Sequence, residues 1–141
     1  MDVNKKQILD FANKYKLCVL ATCDNNVPES ALVDFVMTDG FEIIFNTYTT
    51  SRKYKNLKKN SIISIVVGFG EELKTLQFHG VAKELEGHQV EDVIKKYGSK
   101  AGFSRQWKIK DMRYFKVKPT WINLSDFSQY PPKEIEFNFK Y

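Results

Sequence analysis

The period of the apolar positions changes repeatedly along the chain, and each change marks an element. From Val3 to Tyr15, residues Ile8, Leu9, Ala12 and Tyr15 recur at helical spacing, which predicts a leading amphipathic helix. Leu17–Cys23 is a β-rich run, closed by the turn cluster Asp24-Asn25-Asn26-Val27-Pro28. A second strand is predicted over Glu29–Met37, ended by Thr38-Asp39-Gly40, and a third over Phe41–Thr47. Ser61–Phe69 reads as an apolar central strand, and Gly70-Glu71-Glu72 turns it into a long strand, Leu73–Leu85. Helical spacing returns over Gly87–Tyr97 through Val90, Val93, Ile94 and Tyr97, with Gly98 as the stop. Asp111–Lys118 and Thr120–Leu124 are predicted as two final strands around Pro119, and the tail from Asp126 as an extended segment lying over the body. Short turns between strands, with helices inserted singly, predict a mainly β (α+β) antiparallel barrel with a few peripheral helices. No repeat or linker interrupts it, so residues 1–141 are expected to form a single domain.

Charge changes this picture most at Thr49-Thr50-Ser51-Arg52-Lys53-Tyr54-Lys55-Asn56-Leu57-Lys58-Lys59. Thr49, Thr50 or Ser51 suits a helix N-cap, and Tyr54 and Leu57 then share one inward face. Arg52 and Lys53 fall in the first turn, where the positive end of the helix dipole disfavours cations by ~0.3–1 kcal/mol each. A multivalent anion such as a phosphate, seated among those cations and the free N–H groups, reverses the penalty. A solvated basic face is the bland alternative. The helix follows directly on an apolar strand, and strand-to-helix corners are where phosphate sites are often built.

The net charge of +5 is unevenly spread. Residues 51–60 and 95–118 hold 14 of the 22 basic residues and one acid, Asp111, while the remainder has 8 basic and 16 acidic residues. Two basic stretches in an otherwise acidic chain point to anion-facing surfaces without saying which anion. In the second, Trp107, Tyr114, Phe115 and Trp121 are interleaved with basic residues, a pattern that also suits stacking on single-stranded nucleic acid. The commoner cause on strands is alternation, here Tyr114, Lys116 and Lys118 on a solvated face against Phe115 and Val117 in the core.

Composition excludes several classes. With 43% hydrophobic and 14% aromatic residues the chain is globular. No apolar run approaches a membrane span and the N-terminus does not resemble a signal sequence, so no membrane partner is expected and the expected location is the cytoplasm. Cys18 and Cys23 lie five residues apart in one strand, hence on opposite faces, and are expected to be buried free thiols. They form no metal-ligand spacing with His79 and His88, so no metal is expected. Hydrolase, metalloprotease, Walker and Rossmann motifs are absent from the sequence, and Gly68-Phe69-Gly70 reads as turn chemistry.

The strand Val19-Leu20-Ala21-Thr22-Cys23, the Pro28 turn and the hairpin through Asp39-Gly40 are followed by Asn46-Thr47, then Ser51-Arg52-Lys53 with Asn56-Leu57, and finally Phe78-His79-Gly80-Val81-Ala82. This series resembles the pyridoxamine 5′-phosphate oxidase-like family of FMN-binding split β-barrels over roughly residues 15–125. The resemblance implies a homodimer with two FMN sites at its interface, each touched by both subunits. It assigns Arg52 and Lys53 to the flavin phosphate with Ser51 beside them, and places Asn46 and Thr47 at the same corner. Ser30, Ala31, Leu32 and Val33 would run along the ring system. On the long strand, Leu76, Phe78, Gly80 and Ala82 take the core face, leaving Thr75, Gln77, His79 and Val81 for solvent, ligand or partner. Gln77 and His79 are then expected to hydrogen-bond the flavin ring.

Two departures bear on the reaction. The second strand, Glu29-Ser30-Ala31-Leu32-Val33-Asp34, lacks the arginine or histidine often present there in the family. The C-terminal stretch Pro131-Pro132-Lys133-Glu134-Ile135-Glu136-Phe137 has nothing like the Arg-x-His by which the true oxidases hold pyridoxal phosphate, so vitamin B6 oxidation is not expected. The resulting expectation is an FMN-dependent oxidoreductase acting on an unidentified small molecule, with no assigned catalytic residue and no specific nucleic acid partner. A basic barrel that binds single-stranded nucleic acid, or a relative using haem or a deazaflavin, remain open alternatives.

Overall fold

In the computed structural model, which describes residues 2–68, 70 and 72–140, the chain runs α1 (Val3–Ala12), β1 (Leu17–Asp24), β2 (Val27–Met37), β3 (Ile43–Tyr48), α2 (Arg52–Lys59), β4 (Ile62–Val67), β5 (Lys74–Glu84), α3 (His88–Tyr97), α4 (Phe103–Gln106), β6 (Met112–Asp126) and β7 (Lys133–Asn138). Strands pair antiparallel in the order β3-β2-β1-β4-β5-β6-β7, and β3 pairs again with β6, closing six strands into a barrel. Alternation sets the interior. Cys18 and Leu20, Ile63, Ile65 and Val67, and Leu76 and Phe78 point inward with Phe35, Phe45, Phe115 and Ile122. The α1 helix adds Ile8, Leu9, Phe11 and Ala12 to this core. It ends at Ala12, short of Tyr15, where Asn13 turns its side chain onto the backbone N–H and C=O of Met37, at 3.1 and 3.0 Å.

The two strands expected around Pro119 are one continuous strand, β6. Its one edge pairs with β5 from Phe115 to Asp126, while its other edge changes partner. Met112–Val117 pairs with β3 and Trp121–Asp126 with β7. Proline, which has no N–H to give, sits in the gap between the two partners, opposite a bulge at His79/Gly80. Gly80 faces the interior so closely that a Cβ there would lie 2.7 Å from Val117 Cγ1 and 2.9 Å from Phe78 Cε1. The tail expected merely to lie over the body supplies β7, whose Ile135 is buried in the core.

A second, smaller core lies outside the barrel wall. Val36, Ile44, Met112 and Tyr114 are covered there by Val93 of α3 and by Ala101 and Phe103 at the start of α4, a helix the sequence pattern did not predict. Tyr114 was expected on a solvated face with Lys116; it is instead buried edge-on against Phe103, with ring centroids 5.3 Å apart. Burial, and then the charge of Asp34, pushes the Cys18 thiol well above its ordinary range, so it is inert. Cys23, on the opposite face, is half-buried rather than buried. The predicted turn residues Gly68-Phe69-Gly70 and Gly70-Glu71-Glu72 fall partly outside the described residues, at Phe69 and Glu71. Among the described residues no helix is long and apolar enough to cross a membrane.

Candidate functional site

The corner between β3 and α2 forms where the sequence predicts it. Ser51 is the N-cap: its hydroxyl accepts from Tyr54 N at 3.2 Å and donates to Tyr48 O at 2.9 Å, with the Thr47 hydroxyl 2.8 Å away. Leu57 is buried and Tyr54 packs edge-on against Phe115, centroids 5.9 Å apart, so the apolar face of α2 seats on the barrel. Asn56, one turn after Arg52, is buried among polar groups. Its amide donates to Thr22 Oγ1 at 3.0 Å and to Glu29 Oε1 at 3.4 Å, tying α2 to both β1 and β2.

Two clefts meet at this corner and share Lys53. One, of about 200 Å³, is lined by Glu29, Ser30, Ala31, Arg52 and Lys53. The other, of about 210 Å³, runs on past Leu32, Val33, Asn46, Thr47 and Lys53. Eight of the eleven residues expected at a flavin site therefore line these two adjoining clefts, a groove shared at Lys53. Ser51 stands beside it, but its hydroxyl is committed to the cap and is not available to a ligand without uncapping the helix.

The groove is rich in unanswered donors. The Lys53 side chain is half-buried, and burial lowers its pKa from the ordinary 10.5. It has no ion pair or hydrogen bond among the described residues, and the backbone N–H groups of Arg52 and Lys53 likewise have no acceptor among them. Beside them, β2 pairs with β3 only over Phe35–Met37, so between residues 27 and 34 one edge of β2 carries no ladder partner among the described residues. That edge runs past Ser30–Val33. Arg52 is largely exposed and reaches Glu29, its Nη1 3.4 Å from Oε2.

The far end of the groove contains a polar chain that the sequence reading missed. Asn46 Nδ2 donates to Gln106 Oε1 at 2.9 Å, and Gln106 Nε2 donates to Asp34 Oδ2 at 3.3 Å. Gln106 belongs to the unpredicted α4, so no local signal marked it. Glu29 and Asp34 were in plain view, but as acids they carried no expectation of a role near an anion.

Gln77 and His79 are not brought to the groove within one chain. Register places Ser30, Ala21, Ser64 and His79 in one row across β2, β1, β4 and β5. Three inter-strand steps separate Ser30 from His79, about 14 Å. His79 is exposed on the outer face and tilts against Trp121, with centroids 4.7 Å apart. Next to Gln77 in the ladder is Asn123, buried on the same side of the sheet, whose Oδ1 has no hydrogen-bond partner among the described residues. The outward side chains of Leu17, Leu32, Ile62 and Val81 are all more than 40% exposed.

Comparison with solved structures places this architecture among known ones. A protein related to general stress protein 26 from Clostridium acetobutylicum superposes with a TM-score of 0.74 at 18% identity, over 95% of this chain and 93% of that one. HutZ, the haem storage protein from Vibrio cholerae, gives 0.71 at 24% identity, over 81% and 88%. A haem binding protein from Mycobacterium smegmatis gives 0.78 at 13% identity; 98% of this chain is covered, but only 59% of that one. At these identities the likeness establishes the fold alone. No curated protein sequence matches. The sequence model described as pyridoxamine 5′-phosphate oxidase matches residues 5–126, the groove and all six barrel strands included, and the chain belongs to that family.

Proposed function

We propose that the groove binds FMN by its phosphate, in a homodimer that acts as an oxidoreductase on a small molecule. The observation that carries this reading is Lys53: a half-buried ammonium in the first turn of a helix, with no anion beside it among the described residues. Such a group is destabilised until a multivalent anion arrives. Arg52 and Lys53 supply the positive charge and their own N–H groups supply the directed donors. The unpaired edge at Ser30–Val33 offers backbone donors and acceptors to a planar ring with carbonyl and imide groups. FMN, when bound, supplies the hydride or electron transfer; the protein positions it and controls access.

The homodimer reading is supported by the exposed apolar side chains of Leu17, Leu32, Ile62 and Val81 on the outer wall and by the orphaned Asn123 Oδ1 beside Gln77. A second copy covering that wall would also bring its own Gln77 and His79 toward a neighbour's ligand. The test is the visible spectrum of the purified protein, followed by titration with FMN and riboflavin. FMN should bind at least roughly tenfold more tightly than riboflavin, because a charge-assisted phosphate contact is worth ~1.5–3 kcal/mol. Equal affinity for the two would remove the phosphate from the account.

Haem is the second reading. Two structural neighbours are named as a haem binding and a haem storage protein, and the exposed His79 beside Trp121 would supply an imidazole to hold such a group. A Soret band on haemin addition, lost in His79→Ala, together with indifference to FMN, would favour it.

A further inference from the structure

The phosphate end of the groove contains an acid. Glu29 lies at the start of β2, its carboxylate half-buried, and it lines the same 200 Å³ cleft as Arg52 and Lys53. One oxygen, Oε2, lies 3.4 Å from Arg52 Nη1; the other, Oε1, accepts from Asn56 Nδ2 at 3.4 Å. Arg52 has no other ion pair among the described residues, so Glu29 is the one carboxylate among them that its guanidinium meets. Asn56 also holds Thr22, which fixes the carboxylate from behind and aims it at the guanidinium. The arrangement places a negative charge in the cleft read as the phosphate site.

We infer that Glu29 is an internal competitor for Arg52: it occupies the guanidinium in the free protein and must be displaced by the incoming phosphate. The residue thereby sets the affinity low and keeps the flavin exchangeable. This rests on the phosphate reading of the cleft. Lys53 is outside the competition, because among the described residues it makes no ion pair or hydrogen bond with Glu29. Ligand binding is thus divided between one cation that is waiting and one that has to be released.

Removing the acid while keeping its shape should tighten binding. Glu29→Gln retains an oxygen for Asn56 and gives up the charge, so the fold is kept; thermal unfolding checks this. In buffer free of phosphate and sulfate, FMN affinity should rise roughly three- to tenfold, the scale of releasing a partly exposed ion pair and relieving its repulsion of the ligand. Riboflavin affinity should not change. Asp24→Asn is the control for net charge: Asp24 pairs with Lys59 at the other end of α2, 3.3 Å away, and its loss should alter FMN affinity less than about twofold. The decisive comparison repeats Glu29→Gln in an Arg52→Ala background, where the part of the gain owed to competition should disappear, leaving only the relieved repulsion, less than about twofold. A gain that persists undiminished without Arg52, or a Glu29→Gln variant that binds FMN no better or more weakly, would overturn the inference and leave the phosphate site standing. Wild-type protein that fails to prefer FMN over riboflavin would overturn both.

Discussion

Replacing Lys53 by methionine separates a binding role from a structural one, because the two predict opposite signs. Methionine keeps the aliphatic stem that packs in the groove and removes only the charge. In the ligand-free protein that charge is held at a disadvantage: burial lowers the lysine pKa below 10.5, so the folded state binds its proton less firmly than the unfolded chain. The penalty is fully present below the folded pKa and disappears as pH rises through 10.5. At neutral pH, Lys53→Met should therefore leave the melting temperature unchanged or raise it. FMN affinity should fall roughly ten- to hundredfold, from the loss of one charge-assisted contact worth ~1.5–3 kcal/mol, while riboflavin affinity stays the same. Wild-type FMN affinity should also decline as pH approaches the lowered lysine pKa, and this alkaline decline should be absent in the variant. Flavin fluorescence titration and thermal unfolding, run on both proteins, give all four values. A variant that is less stable and loses FMN and riboflavin in equal proportion would show that Lys53 supports the fold and that the reasoning about its isolated charge is wrong.

Asn56→Ala removes both amide contacts and leaves the buried Thr22 hydroxyl unpaired; stability should drop by about 1–3 kcal/mol in denaturant unfolding, with FMN binding weakened because α2 loses its anchor. Gly80→Ala should destabilise by roughly 1–3 kcal/mol, since the new methyl meets Val117 and the backbone of β6 from inside the barrel; unchanged stability would mean that the two strands can separate without loss. The double variant Leu32→Asp, Ile62→Asp puts charge on the exposed apolar wall and should convert a 16.5 kDa chain from dimer to monomer in light scattering. A wild-type protein that is already monomeric at micromolar concentration would refute the interface.

Strand parity was legible wherever one face was buried in the barrel. The alternation of Leu76, Phe78, Gly80 and Ala82 against Thr75, Gln77, His79 and Val81 appears in the structure as written, because a period of two is enforced by the core. The α2 cap, its first-turn cations and its inward Tyr54 and Leu57 were equally readable, since each follows from local chemistry. What failed depended on partners distant in sequence. Pro119 reads as a strand break until β3 and β7 are known to share one edge of β6 on either side of it. The tail becomes β7 only because that edge is vacant beyond Val117, and Tyr114 changes from solvated to buried because α3 and α4 fold over it. The groove shows the same division. Arg52 and Lys53 were found by their misplaced charge, whereas Gln106 reaches Asn46 across sixty residues and left no local sign. Gln77 and His79 were correctly placed on the outer face but lie three strands from the phosphate corner of their own chain.

The central claim is that a phosphate seats at the N-terminus of α2. A crystal structure of the protein grown with FMN tests it most directly. The account predicts phosphate oxygens about 2.7–2.9 Å from Lys53 Nζ, with the N–H groups of Arg52 and Lys53 donating to them and Glu29 turned away from Arg52. A flavin bound with its phosphate elsewhere, or no phosphate density at the corner at saturating FMN, would contradict it.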